Sequence, residues 1–492
     1  MPASFSEGYV NVSVNENMTN AKKFNATKAL NHKESASVFR AEATELSKNT
    51  KYYYQAVCGD VKSEVYSFTT GSLSDDFTFV RASDSQSKTE SGYDIFQKAV
   101  TKIANTYNPV FIMETGDLVD TNYFEDEWRW FIGKSQGMFG STAYIPVVGN
   151  HEQTSSYDAW AFREHFSVPN ECTEEGVTPG TVYSFDYGKV HFVVLNSECK
   201  GEGLKSQAKW AADDMSKTKQ KYIIAAIHRG PYGGAGIAGD VSEAFTPVFD
   251  KYNVELVLFG HDHSYIRTKA LKNGVEDKNG TVYLECGGCA SKQDSANSTI
   301  PGYAEITGTP GMPVYDVITV TDESIKVKTV TVDESTDTIS DLQDTGSINY
   351  VNPDAKIEFE VLPKNHSIKE NESTTEPATK ENESATEPAT KIEGINTTAN
   401  AETTNNETLK TTDIIKEKVP AKVKDLKVKQ VKKRSIKISW TKSKNVKKYE
   451  VSISANKKFK KSKTTTYMTS KKVYVLKKLK IRNYYIRVRA IN

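Results

Sequence analysis

The hydrophobic pattern in the middle of the chain alternates between short apolar runs and longer stripes of helical spacing. The runs are typical of buried strands and lie at residues 77–83, 110–114, 143–148, 190–196, 222–227 and 254–259. The stripes repeat apolar residues at i, i+3, i+4 and i+7, within residues 96–107, 204–215 and 241–252. Strands that alternate with helices predict an α/β fold built in layers, which we place at residues 73–350.

Strand-like segments without intervening helices flank this region on both sides. They lie at residues 51–57 and 65–70 near one end and at residues 436–440, 449–453 and 485–489 near the other. Short strands at such spacing favour all-β sandwiches. We therefore expect β domains in residues 1–72 and 419–492.

The segment between the α/β domain and the second β domain contains an internal repeat. An eleven-residue unit at 369–379 is followed by a second copy at 380–390 that differs at one position. A composition of Thr, Glu, Asn and Pro with almost no aromatic residues cannot offset the entropy cost of ordering. We therefore predict a disordered linker over residues 351–418, extended by its charges.

Charge is divided unevenly along the chain, although the net charge is only +1. From residue 411 onward there are 27 Lys and Arg against 4 Asp and Glu, a net charge of +23. Residues 1–410 hold 37 against 59, a net charge of −22. The basic segment could dock on an anionic cell-surface polymer or on nucleic acid. A solvated lysine-rich surface is the slightly favoured alternative, and both interpretations stay open.

Cysteine content and hydropathy narrow the class of protein. Five scattered cysteines do not make a disulfide framework, and Cys286-Gly-Gly-Cys289 is interpreted as a turn with two thiols or one local disulfide. No apolar run reaches the roughly eighteen residues of a membrane span. The opening residues lack the pattern of a signal peptide. From the module types and the Thr- and Pro-rich spacer we nevertheless expect an extracellular or cell-surface protein.

Chemically distinctive residues follow five of the predicted strands, most of them beside a glycine. Four of the eight histidines of the chain lie in these motifs. In chain order the motifs are Asp84-Ser85-Gln86, Gly116-Asp117-Leu118-Val119-Asp120, Gly149-Asn150-His151-Glu152, Ile227-His228-Arg229 and Gly260-His261-Asp262-His263. Because layered α/β folds bind ligands at the carboxyl ends of strands, we expect these side chains to share one site.

The mixture of carboxylates, an amide and imidazoles suits a site for two metal ions. A carboxylate can bridge two ions, and oxygen donors mixed with imidazoles favour Mn, Fe or Zn. Such a pair can hold a hydroxide between the ions and bind a phosphoryl oxygen during an in-line displacement. Taken alone, the Gly260-His261-Asp262-His263 motif is equally typical of a turn with two solvated histidines.

The order of the five motifs resembles the calcineurin-like metallophosphoesterase superfamily. The flanking segments Tyr183-Ser184-Phe185-Asp186-Tyr187-Gly188 and His191-Phe192-Val193-Val194-Leu195-Asn196 are similar to those of purple acid phosphatases. The resemblance covers roughly residues 30 to 340. It implies a two-sheet β sandwich flanked by helices, with two metal ions at one edge.

Two further resemblances concern the flanking domains. Residues 50–54 and 67–70 resemble the β-sandwich that precedes the catalytic domain of purple acid phosphatases. The segment from Pro420 through Trp440 and Tyr449 to Ala490 resembles a bacterial fibronectin type III domain. Each lacks strands that its family would have, so both are expected to be truncated.

The superfamily resemblance also implies a role for each site residue. Asp117 would bridge the two ions. Asp84 and His263 would bind the first ion, and His151 would be the general acid that protonates the leaving oxygen. The second site would be completed by Asn150, His228 and His261. Arg229 would hold a phosphate oxygen or form a surface salt bridge.

The chain departs from the family pattern at two positions. The simple superfamily pattern has His where Gln86 stands, and purple acid phosphatases have a metal-binding Tyr where Asp120 stands. The first site is therefore short of a strong ligand unless the Gln86 carbonyl or the Asp120 carboxylate fills it. Without a tyrosinate ligand, we predict a colourless enzyme with a weakly held first metal.

These observations favour a two-metal phosphoesterase, and among such enzymes an acid-phosphatase-like phosphomonoesterase. A phosphodiesterase or nucleotidase stays open, because no motif describes the leaving group. A surface-binding protein with a weakened catalytic domain is a third reading, and the basic segment supports it.

Overall fold

A computed structural model describes most of the chain and divides it into two compact units. The units are Met1–Glu376 and Pro377–Asn492. The residues that the structure describes are 5–28, 38–71, 76–153, 158–294, 301–366, 424–432, 435–441, 448–454, 464–469, 471–476 and 485–491. Most of the predicted linker lies outside these ranges.

Six strands near the N-terminus form one sheet. They are β1 (Gly8–Ser13), β2 (Lys22–Lys28), β3 (Phe39–Arg40), β4 (Lys51–Cys58), β5 (Val61–Lys62) and β6 (Tyr66–Thr69). Their order is β3-β2-β1-β4-β5, and β6 pairs with β4. The strands described before residue 72 make a single sheet, and the truncated N-terminal sandwich stays a prediction.

This sheet attaches directly to the α/β domain. The Tyr54 hydroxyl donates to the main-chain oxygen of Gly140 at 2.7 Å, and Arg40 donates to the main-chain oxygens of Glu164 and Phe166. Gly140 is needed here because a Cβ atom would lie 2.4 Å from the Tyr66 ring. Part of the sheet's apolar area is thus covered by the neighbouring domain.

Two larger sheets make up the α/β domain. The first contains β7 (Phe77–Ala82), β8 (Phe111–Glu114), β9 (Ala143–Pro146), β21 (Val314–Val320), β22 (Ile325–Asp333), β23 (Thr338–Asp341) and β25 (Phe359–Val361). The second contains β10 (Tyr183–Tyr187), β11 (Val190–Val194), β12 (Tyr222–Arg229), β15 (Leu256–Gly260), β16 (Tyr265–Thr268), β19 (Val282–Glu285), β20 (Ala304–Thr309) and β24 (Ser347–Tyr350). Two small hairpins add β13 (Tyr232–Gly233) with β14 (Gly236–Ile237) and β17 (Leu271–Lys272) with β18 (Val275–Glu276).

Each sheet contains a block of adjacent parallel strands, which aligns the carboxyl ends of those strands. The first sheet has the order β23-β22-β21-β7-β8-β9, with β25 on β22, and β7, β8 and β9 are parallel. The second has the order β10-β11-β12-β15-β19-β16-β20-β24, and β11, β12, β15 and β19 are parallel. The predicted strand series is confirmed.

Helices accompany the two sheets. They are α1 (Glu90–Tyr107), α2 (Glu125–Lys134), α3 (Gln136–Phe139), α4 (Trp160–His165), α5 (Glu202–Lys217), α6 (Gly239–Lys251) and α7 (Leu342–Thr345). Helices α1 to α6 cover the outer faces of the sheets, and Leu342 of α7 joins the core between the sheets. Helix α1 begins where the Thr89 side chain caps the Gly92 amide, and it ends at Asn108 in the left-handed conformation. The three predicted helical stripes lie in α1, α5 and α6, so they are confirmed.

The strands of the second sheet are buried on both faces. On β12, the side chains of Tyr222, Ile224 and Ala226 join the core between the sheets, and Ile223 and Ala225 join the core under α5 and α6. This alternation follows from the two-residue period of a strand. The rings of Phe79 and Phe192, one from each sheet, lie 5.5 Å apart. The domain is therefore an α/β fold of two stacked sheets between helical layers.

The predicted linker begins too early and is corrected. Strand β25 pairs with β22 in the first sheet. Beyond it, Lys364 donates through its ammonium to the main-chain oxygens of Val254 and Gly280, both at 2.7 Å. The α/β domain therefore extends through residue 366. Sequence composition missed this because β25 is only three residues long.

The second unit consists of strands in the residues that the structure describes. They are β26 (Lys424–Lys432), β27 (Ser435–Thr441), β28 (Lys448–Ser454), β29 (Thr464–Thr469), β30 (Val473–Leu476) and β31 (Tyr485–Ile491). They form two three-stranded sheets, β26-β27-β30 and β29-β28-β31. Both sheets contribute to one apolar cluster around Trp440 and Tyr449.

No helix within the described ranges has both the length and the apolar character that a membrane span requires. All five cysteines are buried free thiols. Cys286 and Cys289 are therefore a turn with two thiols.

Candidate metal centre

The five predicted motifs meet at the carboxyl ends of the parallel strands of both sheets. Two groups of ligand atoms form there. The ligand atoms of Asp117, His228 and His261 lie within 4.8 Å of one another, and so do those of Asp84, Asp117 and His263. Asp117 belongs to both groups. We call the group with Asp84 the first site and the group with His228 the second site.

The second site is compact and uses imidazole nitrogens around an amide oxygen. Asn150 Oδ1 lies 3.0 Å from His228 Nε2 and 2.9 Å from His261 Nδ1. His228 Nε2 also lies 3.2 Å from Asp117 Oδ2. The other ring nitrogen of His228 faces the main-chain oxygen of Thr115 at 2.8 Å, which fixes Nε2 as the nitrogen offered to the site.

The first site combines two carboxylates, an imidazole and an amide. His263 Nε2 lies 3.4 Å from Asp84 Oδ1, and its Nδ1 faces Asp294 Oδ2 at 2.8 Å. The Gln86 amide is satisfied when Nε2 donates to the main-chain oxygens of Asp84 and Asp117, and Oε1 then accepts from Lys292 Nζ at 3.0 Å. In this orientation Gln86 Oε1 lies 3.3 Å from His263 Nε2 and 3.4 Å from Asp117 Oδ2. The carbonyl oxygen of Gln86 therefore faces the first site, and its role as a metal ligand stays a prediction.

Four of the candidate ligands have left-handed backbone conformations. Asp84, Asp117, His261 and His263 all have positive φ, of 58°, 55°, 90° and 51°. Non-glycine residues rarely adopt this region, and such strain clusters at functional sites. Close packing adds to the constraint, because a Cβ atom on Gly149 would lie 2.2 Å from Asp117 Oδ1. These turns are held in shape by the site rather than by local preference.

The ionisable groups of the site perturb one another strongly. Burial would lower the pKa of His228, but the Asp117 carboxylate outweighs it and raises that pKa to about 10. Burial would raise the pKa of Asp117, and the charge of His228 reverses the direction. The pKa of His261 is lowered by burial and then by the charge of His228. A buried network of this kind releases protons when a cation replaces them.

His151 lies at the rim of the centre, within reach of both sites. Its backbone amide donates to Asp117 Oδ1 at 2.9 Å. Its Nδ1 lies 2.7 Å from the main-chain oxygen of Asp120, and its Nε2 lies 3.7 Å from Asp117 Oδ2. The ring is thus oriented with Nε2 towards the centre.

Asp120 lies outside both groups of ligand atoms, and its metal-binding role stays a prediction. Asp120 Oδ1 lies 3.8 Å from His151 Nδ1, and Oδ2 lies 3.7 Å from Lys88 Nζ. The carboxylate therefore faces the imidazole and a surface ammonium. Asp120 is a positioning residue for His151.

The guanidinium of Arg229 contacts acidic side chains and a main-chain oxygen. It donates to both carboxylate oxygens of Asp240 at 3.2 and 3.4 Å and to the main-chain oxygen of Ser197 at 3.0 Å. Its Nε lies 3.6 Å from Glu198 Oε1. Of the two predicted alternatives, the structure matches the salt bridge.

Two buried carboxylates support the ligand turns, and the sequence interpretation gave them no role. Glu152 accepts from the backbone amides of Leu118 and Gly149, both at 2.8 Å, and from those of Asp117 and Val119. Glu285 accepts from the Asp262 amide at 2.8 Å, inside the His261–His263 turn. Glu152 stands next to His151 in its motif and could have been noticed. Glu285 carries no such signal.

The donors present fit a pair of metal ions. Each site offers oxygen and imidazole nitrogen, the set that Mn, Fe and Zn accept. His228 and His263, one from each site, have their second ring nitrogen engaged by an acceptor, as metal-binding histidines do. Residues that would hold the ions are Asp84, Gln86, Asp117, Asn150, His228, His261 and His263.

Comparison with known proteins shows the class of protein that this domain resembles. Residues 56–265 match the family of calcineurin-like phosphoesterases. That interval contains every ligand from Asp84 to His263. The candidate metal centre thus lies within the segment that is similar to calcineurin-like phosphoesterases.

Individual proteins to which the chain is similar include purple acid phosphatases. The chain is 26% identical over 293 residues to the Arabidopsis thaliana protein named "Probable purple acid phosphatase 20", covering 55% of this chain and 66% of that protein. The fold is similar to that of purple acid phosphatase PPD1 from yellow lupin seeds, with a TM-score of 0.59, 18% identity and 70% of each chain covered. It is also similar to that of PhoD, with a TM-score of 0.53, 15% identity, and coverage of 72% of this chain and 86% of that one. The chain spans 44 to 66% of the length of the first three curated relatives it matches.

Proposed function

We propose that this protein is a binuclear metal-dependent phosphoesterase that acts as a phosphomonoesterase of the acid-phosphatase type. The observation that carries the proposal is the Asp117 carboxylate, which belongs to both groups of ligand atoms. A carboxylate shared by two adjacent sites is what a two-ion centre requires. The calcineurin-like phosphoesterase match over the same residues supports this reading.

The chain's own residues supply orientation and a proton. When bound, two ions would stabilise charge on a phosphoryl group and activate a water molecule. The Asp120 main-chain oxygen contacts His151 Nδ1, so Nε2 faces the metal centre. A proton on Nε2 can therefore be donated to the ester oxygen of the leaving group. The His151 side chain is 25% exposed, so it can reach a bound substrate. Glu152 fixes the loop that carries Asp117.

The test is hydrolysis of an aryl phosphate by the full chain, with Mn, Fe or Zn added after metal removal. We expect metal-dependent turnover, and we expect His151→Ala to lower kcat by roughly 10²- to 10⁴-fold as the loss of a general acid does. The loss should be smaller for aryl esters than for alkyl esters, because a good leaving group needs less protonation. His366→Ala, far along the chain at the Tyr252 main-chain oxygen, is the matched control.

A matched diester substrate separates the two enzymatic alternatives. Faster turnover of the monoester supports the proposal, and the purple acid phosphatase names among the relatives favour that result. Preference for the diester would replace it with the phosphodiesterase reading. Absence of turnover with every metal would leave only the surface-binding reading.

We also propose that the second unit is a fibronectin type III domain that binds an anionic cell-surface polymer outside the cell. Its support is the net charge of +23 from residue 411 onward, together with the two three-stranded sheets. Binding of this kind weakens as salt screens the charges. Co-sedimentation of the full chain with an anionic polymer at rising ionic strength tests it, and salt-independent or absent binding would contradict it.

A further inference from the structure

The loop after strand β19 brings a lysine to the first site. Lys292 Nζ donates to Gln86 Oε1 at 3.0 Å. The same loop carries Asp294, whose carboxylate faces His263 Nδ1 at 2.8 Å. One surface loop therefore contacts both the amide and the imidazole of the first site. No motif in the sequence pointed to either residue.

A fixed ammonium beside an amide ligand has two effects on a cation. An amide oxygen has two lone pairs, so Gln86 Oε1 can accept from Lys292 and still face the site with the other. The ammonium charge nevertheless opposes any cation that the oxygen holds, because like charges a few ångströms apart repel. It also withdraws electron density from the oxygen.

The second site has a different environment. Its amide oxygen, Asn150 Oδ1, lies between two imidazole nitrogens, of His228 and His261. Imidazoles become neutral ligands when a metal ion replaces their protons. The Lys292 ammonium lies beside the first site instead, where it donates to Gln86 Oε1. The first site therefore combines an additional carboxylate, that of Asp84, with an ammonium that opposes its attraction for a cation, and the second group of ligand atoms contains neither.

We propose that Lys292 sets the affinity of the first site, so that the second site fills at low metal concentration and the first fills only at higher concentration. This inference rests on the proposed two-metal function. The lysine makes occupancy of the first site, and with it activity, respond to the free metal concentration. Lys292 acts through Gln86 and is a positioning residue.

The experiment is calorimetric titration of the metal-free full chain with Mn²⁺, with bound metal measured after dialysis. Wild-type protein should bind one ion tightly and a second more weakly. Lys292→Met removes the charge and keeps the length of the side chain, and it should tighten the weaker step by at least about tenfold, given the strength of a unit charge at this range. Lys292→Gln should do the same.

Lys88→Met is the matched control. It removes one positive charge near the centre, but Lys88 Nζ faces Asp120 Oδ2 at 3.7 Å and is bonded to neither Gln86 nor His263. It should change the weaker step by much less than Lys292→Met does. Thermal unfolding of all variants should be unchanged, because Lys292 is partly exposed.

Several results would overturn the inference. They are two equal binding steps in wild-type protein, an unchanged weaker step in both Lys292 variants, or a weaker step that becomes weaker still. A rise in KM for the phosphate ester without a change in metal binding would instead make Lys292 a substrate-binding residue. If no variant binds any ion, the proposed two-metal function itself fails. If ions bind as in wild-type protein but hydrolysis is absent, only the phosphoesterase activity fails.

Discussion

The two halves of the candidate metal centre share Asp117 but are built differently. The second site lies at the ends of buried strands, and its His228 is fully buried and oriented by a main-chain oxygen, that of Thr115. The first site is completed from the surface, because His263 is oriented by Asp294, whose side chain is 64% exposed. One site is part of the sheet architecture, and the other depends on a loop.

This difference has consequences for how firmly each ion is held. A hydrogen bond to a buried main-chain oxygen keeps its geometry and is poorly screened. A contact to an exposed carboxylate is weakened by solvent and salt. The Lys292 ammonium adds an opposing charge at the first site. We therefore expect the second site to dominate metal binding.

The largest effect should come from the residue that both halves share. Asp117→Asn removes the bridging charge, so both sites should weaken together, and kcat/KM should fall by on the order of 10³- to 10⁴-fold, as when a catalytic unit is broken. Metal content after dialysis and turnover at saturating metal measure the two losses. Binding of two ions at wild-type affinity would contradict the shared role.

The next prediction compares one histidine from each half. His228→Asn should abolish metal binding at the second site and lower activity at every metal concentration. His263→Asn should weaken only the first site, so excess metal should restore much of the activity. Activity measured against metal concentration separates the two cases. Equal rescue of both variants would mean that the halves are alike.

Sequence reasoning located the ligands because the periodic strands end where the motifs begin. Each run, such as the one that becomes β15, predicted a strand whose carboxyl end carries the next polar residue. Parallel strands then bring these ends to one edge of a sheet. Asp84, Asp117, His228 and His263 could be named for this reason.

The supporting residues could not be predicted, since they depend on tertiary contacts. Lys292 and Asp294 reach the first site from a loop without periodicity, and Glu285 contacts a turn that lies more than twenty residues earlier in the chain. The orientation of Arg229 towards Asp240 was likewise set by packing of α6. The packing of the N-terminal sheet could not be predicted for the same reason. A strand pattern indicates that one face is buried, but it does not indicate which part of the protein packs against that face.

A smaller effect should follow from loosening the orientation of His263. Asp294→Asn removes the carboxylate that faces its Nδ1. Loss of such a partner costs 10- to 100-fold in metal affinity in general, and the exposure of Asp294 places our expectation at about tenfold, confined to the weaker binding step. Asp337→Asn, with its side chain 75% exposed and bonded to Lys102, is the control. A change in the tighter step instead would mean that the first site, and not the second, is the one that binds the metal ion more tightly.

The last prediction concerns the visible absorption of the iron-loaded protein, where we expect no intense band. A tyrosinate ligand would give the iron-loaded protein an intense visible absorption band, but residue 120 is an aspartate that faces His151. Tyr93 contacts the same loop through the Leu118 main-chain oxygen, and burial raises its pKa, so it stays a neutral phenol. The protein should therefore be colourless with one iron ion bound and with two. Its iron content is measured independently. An intense band would place a tyrosine among the ligands of the first site and make the two halves more nearly equal than their geometry indicates.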